Sequence, residues 1–175
     1  SAAVAVVNRD DPAVTAMPGG RERRGFTLGE PAAGDYGVRL RDGALVIDVS
    51  SLEEIHIDAE RRIASIQPGV RSEQLIATAR AHGLSFPVPH CPSVGLSGFT
   101  LGGGIGWNYA QCGGVATFSI LAAEIVLADG RKVLASPTEN PDLYWAVRGS
   151  GPGFFGVVTR LFLQLYPLAN TIMAS

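Results

Sequence analysis

The sequence predicts an α+β fold, in which strands form hairpins and helices separate them without a repeating βαβ pattern. Three observations support this class. Short apolar runs with strand periodicity recur along the chain, and two segments carry helix start and stop signals. Asp129-Gly130 joins two further apolar runs, which is a signal for an antiparallel hairpin. With 175 residues, 46% hydrophobic and 17% charged, the chain is long enough for one domain with a buried core.

The regular part of the sequence begins at residue 44. ALVIDVS at 44–50 is typical of a buried strand, IHID at 55–58 alternates, and RRIASI at 61–66 predicts a strand that ends at a Pro-Gly turn. Before it there is only a short apolar run at Val4–Val7, and Pro-Gly-Gly at 18–20 interrupts any helix nearby.

Two helices are predicted. Ser72 is the expected N-cap of the first, which runs to about His82 and is stopped by Gly83. NPD at 140–142 begins the second with a capping asparagine, a proline at the first helical position and an acid in the first turn. It ends by Gly149, and a second glycine cluster then leads into a long β-branched and aromatic strand.

Charge and hydropathy exclude several classes of partner. The formal net charge is -2, which gives no reason to expect nucleic acid or an anionic membrane. No apolar run reaches the roughly 18 residues of a membrane-spanning helix. The first residues lack the basic entry and long apolar centre of a signal peptide, so a cytoplasmic location is expected.

The chain has two cysteines, Cys91 and Cys112, which are too few for a disulfide framework, although a disulfide between them stays open. His82, His90 and Cys91 are the only soft metal ligands near one another in sequence. No spacing completes a metal site around them, so no metal is predicted.

The segment HCPSVGLSGFTLGGGIGWN at 90–108 contains six glycines. Each glycine costs roughly 0.5–1 kcal/mol relative to alanine in regular structure, so the excess needs a reason. The spacing fits neither a Rossmann Gly-x-Gly-x-x-Gly motif nor a P-loop, which needs Gly-Lys-Ser/Thr. Two readings remain open: bare backbone against a flat or phosphorylated ligand, or a glycine-rich turn region in a tightly packed sheet.

From Gly43 to Leu168 the chain resembles the FAD-binding domain of the berberine bridge enzyme and vanillyl-alcohol oxidase superfamily of FAD-linked oxidases. The resemblance rests on four phrases in the family's order: LRDGALVIDVS, IQPGVRSEQLIATARAHGLSFPVPHCPSVGLSGFTLGGGIGWN, the strand pair around ADGRKV, and NPDLYWAVRGSGPGFFGVVTRLFLQLYP. It implies one two-lobed PCMH-type FAD-binding domain over 1–175, with a first lobe at 1–69, divergent over 1–43, and a second lobe at 70–175. The family's substrate domain is absent from these residues.

The resemblance also implies a set of cofactor contacts, while no catalytic acid or base can be named. The implied FAD-binding residues are Cys91, Pro92, Ser93, Val94, Gly95, Gly98, Leu101, Gly102, Gly103, Gly104, Gly106, Trp107, Asn108, Gly156 and Val157. In many members the cysteine matching Cys91 is bonded through sulfur to C6 of the flavin. The alternative for Cys91 is a buried apolar residue, since free cysteine is among the most buried types.

The second covalent link of the family is expected to be missing. Family members carry an Arg-Gly-Gly-Gly-His type loop whose histidine bonds the flavin 8α-methyl group. This chain has Glu-Pro-Ala-Ala-Gly at 30–34 instead, and no histidine precedes His56. An 8α-histidyl link is therefore not predicted, and FAD affinity is expected to suffer from Glu30.

The function implied is the FAD-binding portion of a flavin-dependent oxidase, with hydride transfer from a small-molecule C–H bond to flavin N5 and reoxidation by dioxygen. Three explanations fit the incomplete site: a fragment of a longer enzyme, one chain of a two-chain enzyme whose partner supplies the substrate domain, or a degenerate copy. Another class of function is a non-catalytic module that acts as a structural or interaction partner. A reductase of the related cell-wall precursor type is disfavoured by the motifs around Cys91 and Trp107.

Overall fold

The computed structural model describes residues 4–8, 22–27, 36–41 and 44–169. The chain divides into two compact units, Ser1–Leu52 and Glu53–Ser175. None of the helices in the described ranges is long and apolar enough to cross a membrane.

The first unit contains a four-stranded sheet in sequential order. β1 (Val4–Asn8) pairs in parallel with β2 (Glu22–Thr27), and β2 pairs in parallel with β3 (Tyr36–Arg41). β4 (Ala44–Asp48) closes the sheet antiparallel to β3, with Val38 opposite Ile47. Of these four strands, the apolar pattern of the sequence predicted only β4. The predicted helix-breaking sequence at 18–20 and the substituted loop at 30–34 lie outside the described residues.

The second unit contains a five-stranded antiparallel sheet with the strand order β5-β6-β10-β8-β9. A two-stranded sheet pairs β7 with β11. The strands are β5 (Ile55–Asp58), β6 (Ile63–Ile66), β7 (Leu84–Ser85), β8 (Ile120–Val126), β9 (Lys132–Ala135), β10 (Val157–Gln164) and β11 (Tyr166–Pro167). β6 pairs with β10 over its whole length, and residues 53–69 belong to this second unit.

The core lies on one face of this sheet. A row of facing residues crosses four strands, from Ile66 through Leu161 and Ala123 to Ala135, and each is fully buried. Successive strand residues point to opposite faces, so the alternation of apolar residues decides which face is covered. The helices that pack against this core are α1 (Ser72–Arg80), α2 (Leu96–Leu101) and α3 (Pro141–Val147).

The two predicted helices are present, but both caps differ from expectation. Arg71 is the N-cap of α1, and its N–H donates to Gln74 Oε1 at 2.7 Å, while Ser72 is the first helical residue. Asn140 is the N-cap of α3, yet its amide donates to Leu134 O at 2.7 Å instead of capping the helix. The Ser72 hydroxyl and the Asn140 amide each donate to a backbone carbonyl outside the helix, and Asn140 has a left-handed backbone with φ of 49° in place of the extended one usual for an N-cap.

Candidate functional site

The turn that carries Cys91 is held by the first residues of α1. The N–H of Ser72 donates to Val94 O, and the N–H of Glu73 donates to Pro92 O, both at 3.0 Å. The buried Ser72 hydroxyl donates to Pro92 O at 2.7 Å and lies 3.2 Å from Cys91 O. The free N–H groups at the start of a helix thus find their acceptors in this turn. Ser72, which sequence reasoning treated as a cap, is a structural anchor for Cys91.

The Cys91 thiol is exposed, contrary to the alternative that treats it as a buried apolar residue. Its Sγ lies 3.2 Å from Ser93 Oγ. Hydrogen bonds from the Ser93 side chain and then from its backbone lower the pKa of Cys91, since they stabilise the thiolate. Cys112 is buried and free, and burial raises its pKa. The disulfide left open by the sequence is therefore not formed, and only Cys91 has the environment of a reactive thiol.

Packing explains three of the predicted site glycines. A Cβ at Gly104, where φ is +75°, would lie 2.8 Å from Ala116 Cβ. A Cβ at Gly106 would lie 2.6 Å from Val88 O, and one at Gly156 would lie 2.5 Å from Ile125 Cγ2. These three glycines permit close approach between distant parts of the chain. This is what the second alternative, a glycine-rich turn region in a tightly packed sheet, predicts.

Packing does not explain Gly98. It lies inside α2, its φ is not in the left-handed region, and a Cβ there would meet nothing within 4 Å. Gly95, the N-cap of α2, has φ of -62° and is equally open. Glycine within a helix costs roughly 0.5–1 kcal/mol relative to alanine, and at Gly98 no contact within the described chain compensates. The two residues leave exposed backbone with open space where a Cβ would stand. This fits the first alternative, in which the backbone lies against a flat or phosphorylated ligand.

The second glycine cluster, GSGPGFFG at 149–156, contacts the glycine-rich segment at 90–108 through Gly151. Gly151 was not among the predicted site residues. A Cβ at Gly151, where φ is +52°, would lie 3.3 Å from Gly102 Cα. The same region is joined by hydrogen bonds, because Thr117 N donates to Gly103 O at 2.8 Å and Arg148 Nε donates to Thr117 O at 3.4 Å. The Gly-Pro-Gly sequence at 151–153 was the available signal for this contact.

Trp107 and Asn108 end the glycine-rich segment and contact the residues that precede Cys91. The Trp107 ring lies 4.9 Å from the His90 ring, measured between centroids, and Trp107 is 71% exposed. The Asn108 side chain is hydrogen-bonded to the backbone of Phe86 and Val88. A groove of about 350 Å³ lies beside this segment, with walls that include His90, Trp107 and Asn108.

The remaining predicted site residues occupy supporting positions. Pro92 and Val94 provide the carbonyls that accept from α1, and Leu101 is half-buried against the core. Gly103, with φ of +108°, has the backbone conformation that favours glycine. Val157 is the first residue of β10 and lies opposite Val126. Among the described residues no group of three or more His, Cys, Asp or Glu side chains is arranged to hold a metal ion.

Comparison with known proteins gives a match over most of the chain. A family model described as an FAD binding domain matches residues 2–136. The FAD-linked oxidoreductase pytB of Aspergillus terreus is 42% identical over 133 residues, which cover 75% of this chain and 16% of that protein. The (R)-6-hydroxynicotine oxidase of Paenarthrobacter nicotinovorans is 40% identical over 138 residues, covering 79% of this chain and 30% of that protein.

A solved structure extends the similarity to the fold. The glucooligosaccharide oxidase of Acremonium strictum, which carries 6-S-cysteinyl, 8α-N1-histidyl FAD, superposes with a TM-score of 0.60 and 30% identity. The match covers 67% of this chain and 24% of that one. This chain therefore spans less than a third of the length of each of these three relatives.

Proposed function

Because the chain belongs to the FAD-linked oxidase family with a PCMH-type FAD-binding domain, we propose that it is the FAD-binding portion of a flavin-dependent oxidoreductase. Bound FAD supplies a hydride acceptor at N5 for a C–H bond of a small-molecule substrate, and dioxygen accepts the electrons afterwards. The observation that carries the proposal is the uncompensated glycine inside α2, Gly98, with the open backbone of Gly95 beside it, in the segment that also presents the exposed Cys91 thiol.

The residues of this chain would bind and orient the cofactor. Gly95 and Gly98 allow a flat ring or a phosphate to approach the backbone, because no Cβ intervenes. The contact of Gly151 with Gly102 joins the second glycine cluster to the same surface. The packed glycines, Gly104 and Gly106, would shape the segment rather than touch the cofactor. We propose this division of roles among the glycines of the second unit.

Cys91 is proposed to form a 6-S-cysteinyl link. The lowered pKa raises the fraction of thiolate, which is the nucleophilic form. Forming the thioether removes the thiol hydrogen and the hydrogen at C6, two electrons in all, and dioxygen is the oxidant that accepts them. The same type of link is present in the glucooligosaccharide oxidase. An 8α-histidyl link is not proposed, since no histidine precedes His56.

The remainder of the active site is proposed to come from further polypeptide. The matching relatives are more than three times as long as the part of them that this chain covers. A substrate-binding wall and a general base would lie in that additional polypeptide, either in the same protein or in a second chain. The partner of the complete site is a small-molecule substrate.

Intact mass spectrometry tests the proposal. The purified protein is incubated with FAD in air, denatured and weighed, alongside Cys91→Ser and the matched control Cys112→Ser. We expect the wild type and Cys112→Ser to gain the mass of one FAD, less two hydrogens, and Cys91→Ser to bind FAD reversibly. A chain that takes up no FAD would instead support the non-catalytic module, and a covalent adduct that persists in Cys91→Ser would exclude the proposed link.

A further inference from the structure

The hydrogen-bonding capacity of the Asn108 side chain is used within the protein. Its Oδ1 accepts from Val88 N at 3.2 Å. Its Nδ2 donates to Phe86 O at 2.8 Å and lies 3.3 Å from both Ser85 Oγ and Cys112 Sγ. An asparagine amide has two N–H donors, and three acceptors surround them here. No donor of this side chain is left over for a cofactor.

The Asn108 side chain bonds the segment at 86–88 as a neighbouring β-strand would. In an extended chain the C=O of one residue and the N–H of the residue two positions later point to the same edge, where in a parallel ladder the N–H and C=O of one neighbouring residue bond them. The Asn108 side-chain amide bonds Phe86 O and Val88 N in the same way, so it substitutes for one residue of a neighbouring strand. Gly106 lets the two segments approach, because a Cβ there would lie 2.6 Å from Val88 O.

The segment between the residues bonded by Asn108 and Cys91 has little backbone freedom. Val88 stands between Pro87 and Pro89, whose rings fix φ and restrict the residue before each. Beyond His90, the turn at Cys91 is anchored from the other side by Ser72. The Cys91 turn is therefore held on one side by several bonds from the start of α1, and the chain that leads into it is held by the Asn108 side chain.

We propose that Asn108 is a positioning residue that holds Cys91 in place for covalent attachment of the flavin, an inference that rests on the proposed function. Its removal should slow attachment more than it weakens reversible FAD binding. A misplacement of about 1 Å in a reacting group reduces rates by about a hundredfold. We therefore expect Asn108→Ala to attach FAD about a hundredfold more slowly than the wild type at saturating FAD, a larger factor than any increase in its apparent Kd for FAD.

The experiment measures attachment and binding separately. Adduct mass is followed over time at saturating FAD, and FAD affinity is measured in the Cys91→Ser background with and without Asn108→Ala. Asn140→Ala is the matched control, since that asparagine also donates to a backbone carbonyl, Leu134 O, but at the start of α3. We expect the control to attach FAD at the wild-type rate. Wild-type attachment by Asn108→Ala, or an equal loss of affinity and attachment, would overturn the inference.

Hydrogen exchange on the ligand-free protein separates failure of this inference from failure of the proposed function. Without Asn108 Oδ1, the Val88 amide loses its acceptor, so exchange in a peptide spanning 86–91 should become about tenfold faster or more. Exchange in β8 and β10 should stay unchanged. If the wild type attaches no FAD, the proposed covalent link fails, whereas unchanged exchange at 86–91 in Asn108→Ala removes the positioning role itself.

Discussion

Replacing Gly98 by alanine distinguishes a glycine kept for a ligand from one kept for packing. The residue has a helical backbone conformation and open space where a Cβ would stand. Alanine should therefore stabilise the ligand-free protein by about 0.5–1 kcal/mol. In a chain of this size, the change raises Tm by about 1–4 °C. Thermal unfolding of the ligand-free protein measures it.

The same methyl group should weaken FAD binding, because it would stand on the surface that we propose the cofactor covers. An extra carbon in a packed contact costs about 1–3 kcal/mol, which corresponds to an increase in Kd of about 5- to 150-fold. Fluorescence titration with FAD in the Cys91→Ser background measures this affinity without the covalent step. Higher stability together with weaker binding is the expected signature of Gly98→Ala.

Gly104→Ala is the matched control. Its φ of +75° and the 2.8 Å approach of a Cβ to Ala116 should destabilise even the ligand-free protein, by more than about 1 kcal/mol. The two substitutions should thus change Tm in opposite directions. The reasoning is refuted if Gly98→Ala lowers the Tm of the ligand-free protein, or if it leaves the Kd for FAD unchanged.

Three further substitutions test the thiol and the core. Ser93→Ala should raise the pKa of Cys91, so alkylation by iodoacetamide at pH 7 should slow while the rates converge at high pH, and equal rates at pH 7 would contradict this. Tyr144→Phe removes the O–H that donates to Ile120 O at 2.7 Å and should reduce the free energy of unfolding in urea by about 0.5–1.5 kcal/mol. Leu161→Ala empties a fully buried site at the centre of the sheet and should reduce it by about 2–5 kcal/mol; a loss below about 1 kcal/mol would argue against this core.

The strands of the second unit could be predicted from the sequence because their local signals agree with their packing. Apolar periodicity predicted β5, β6 and β10, and the Asp129-Gly130 turn predicted the β8–β9 hairpin. Three strands before residue 44 were not predicted. β2 contains ERRGFT, whose charged and glycine residues give no apolar alternation, so its pairing with β1 and β3 identifies it as a strand.

The helix α2 was also not predicted from the sequence. No helix was predicted over LSGFTL, and glycine has low helix propensity. In the structure Leu96 and Thr100 are fully buried, and burial of this face outweighs the propensity of Gly98. The segment predicted for the site therefore contains a helix that the sequence did not predict.

The sequence by itself determined the class of fold, the family resemblance and the segment that bears Cys91, because these depend on residue types and spacing along the chain. Only the tertiary structure decided which glycines are explained by packing and which are left bare, since that depends on atoms from distant segments such as Val88 and Ala116. It also showed that the Cys91 thiol is exposed and that the Asn108 amide is used within the protein. Hydrogen-bond partners are chosen by proximity in space, which spacing in the sequence does not specify.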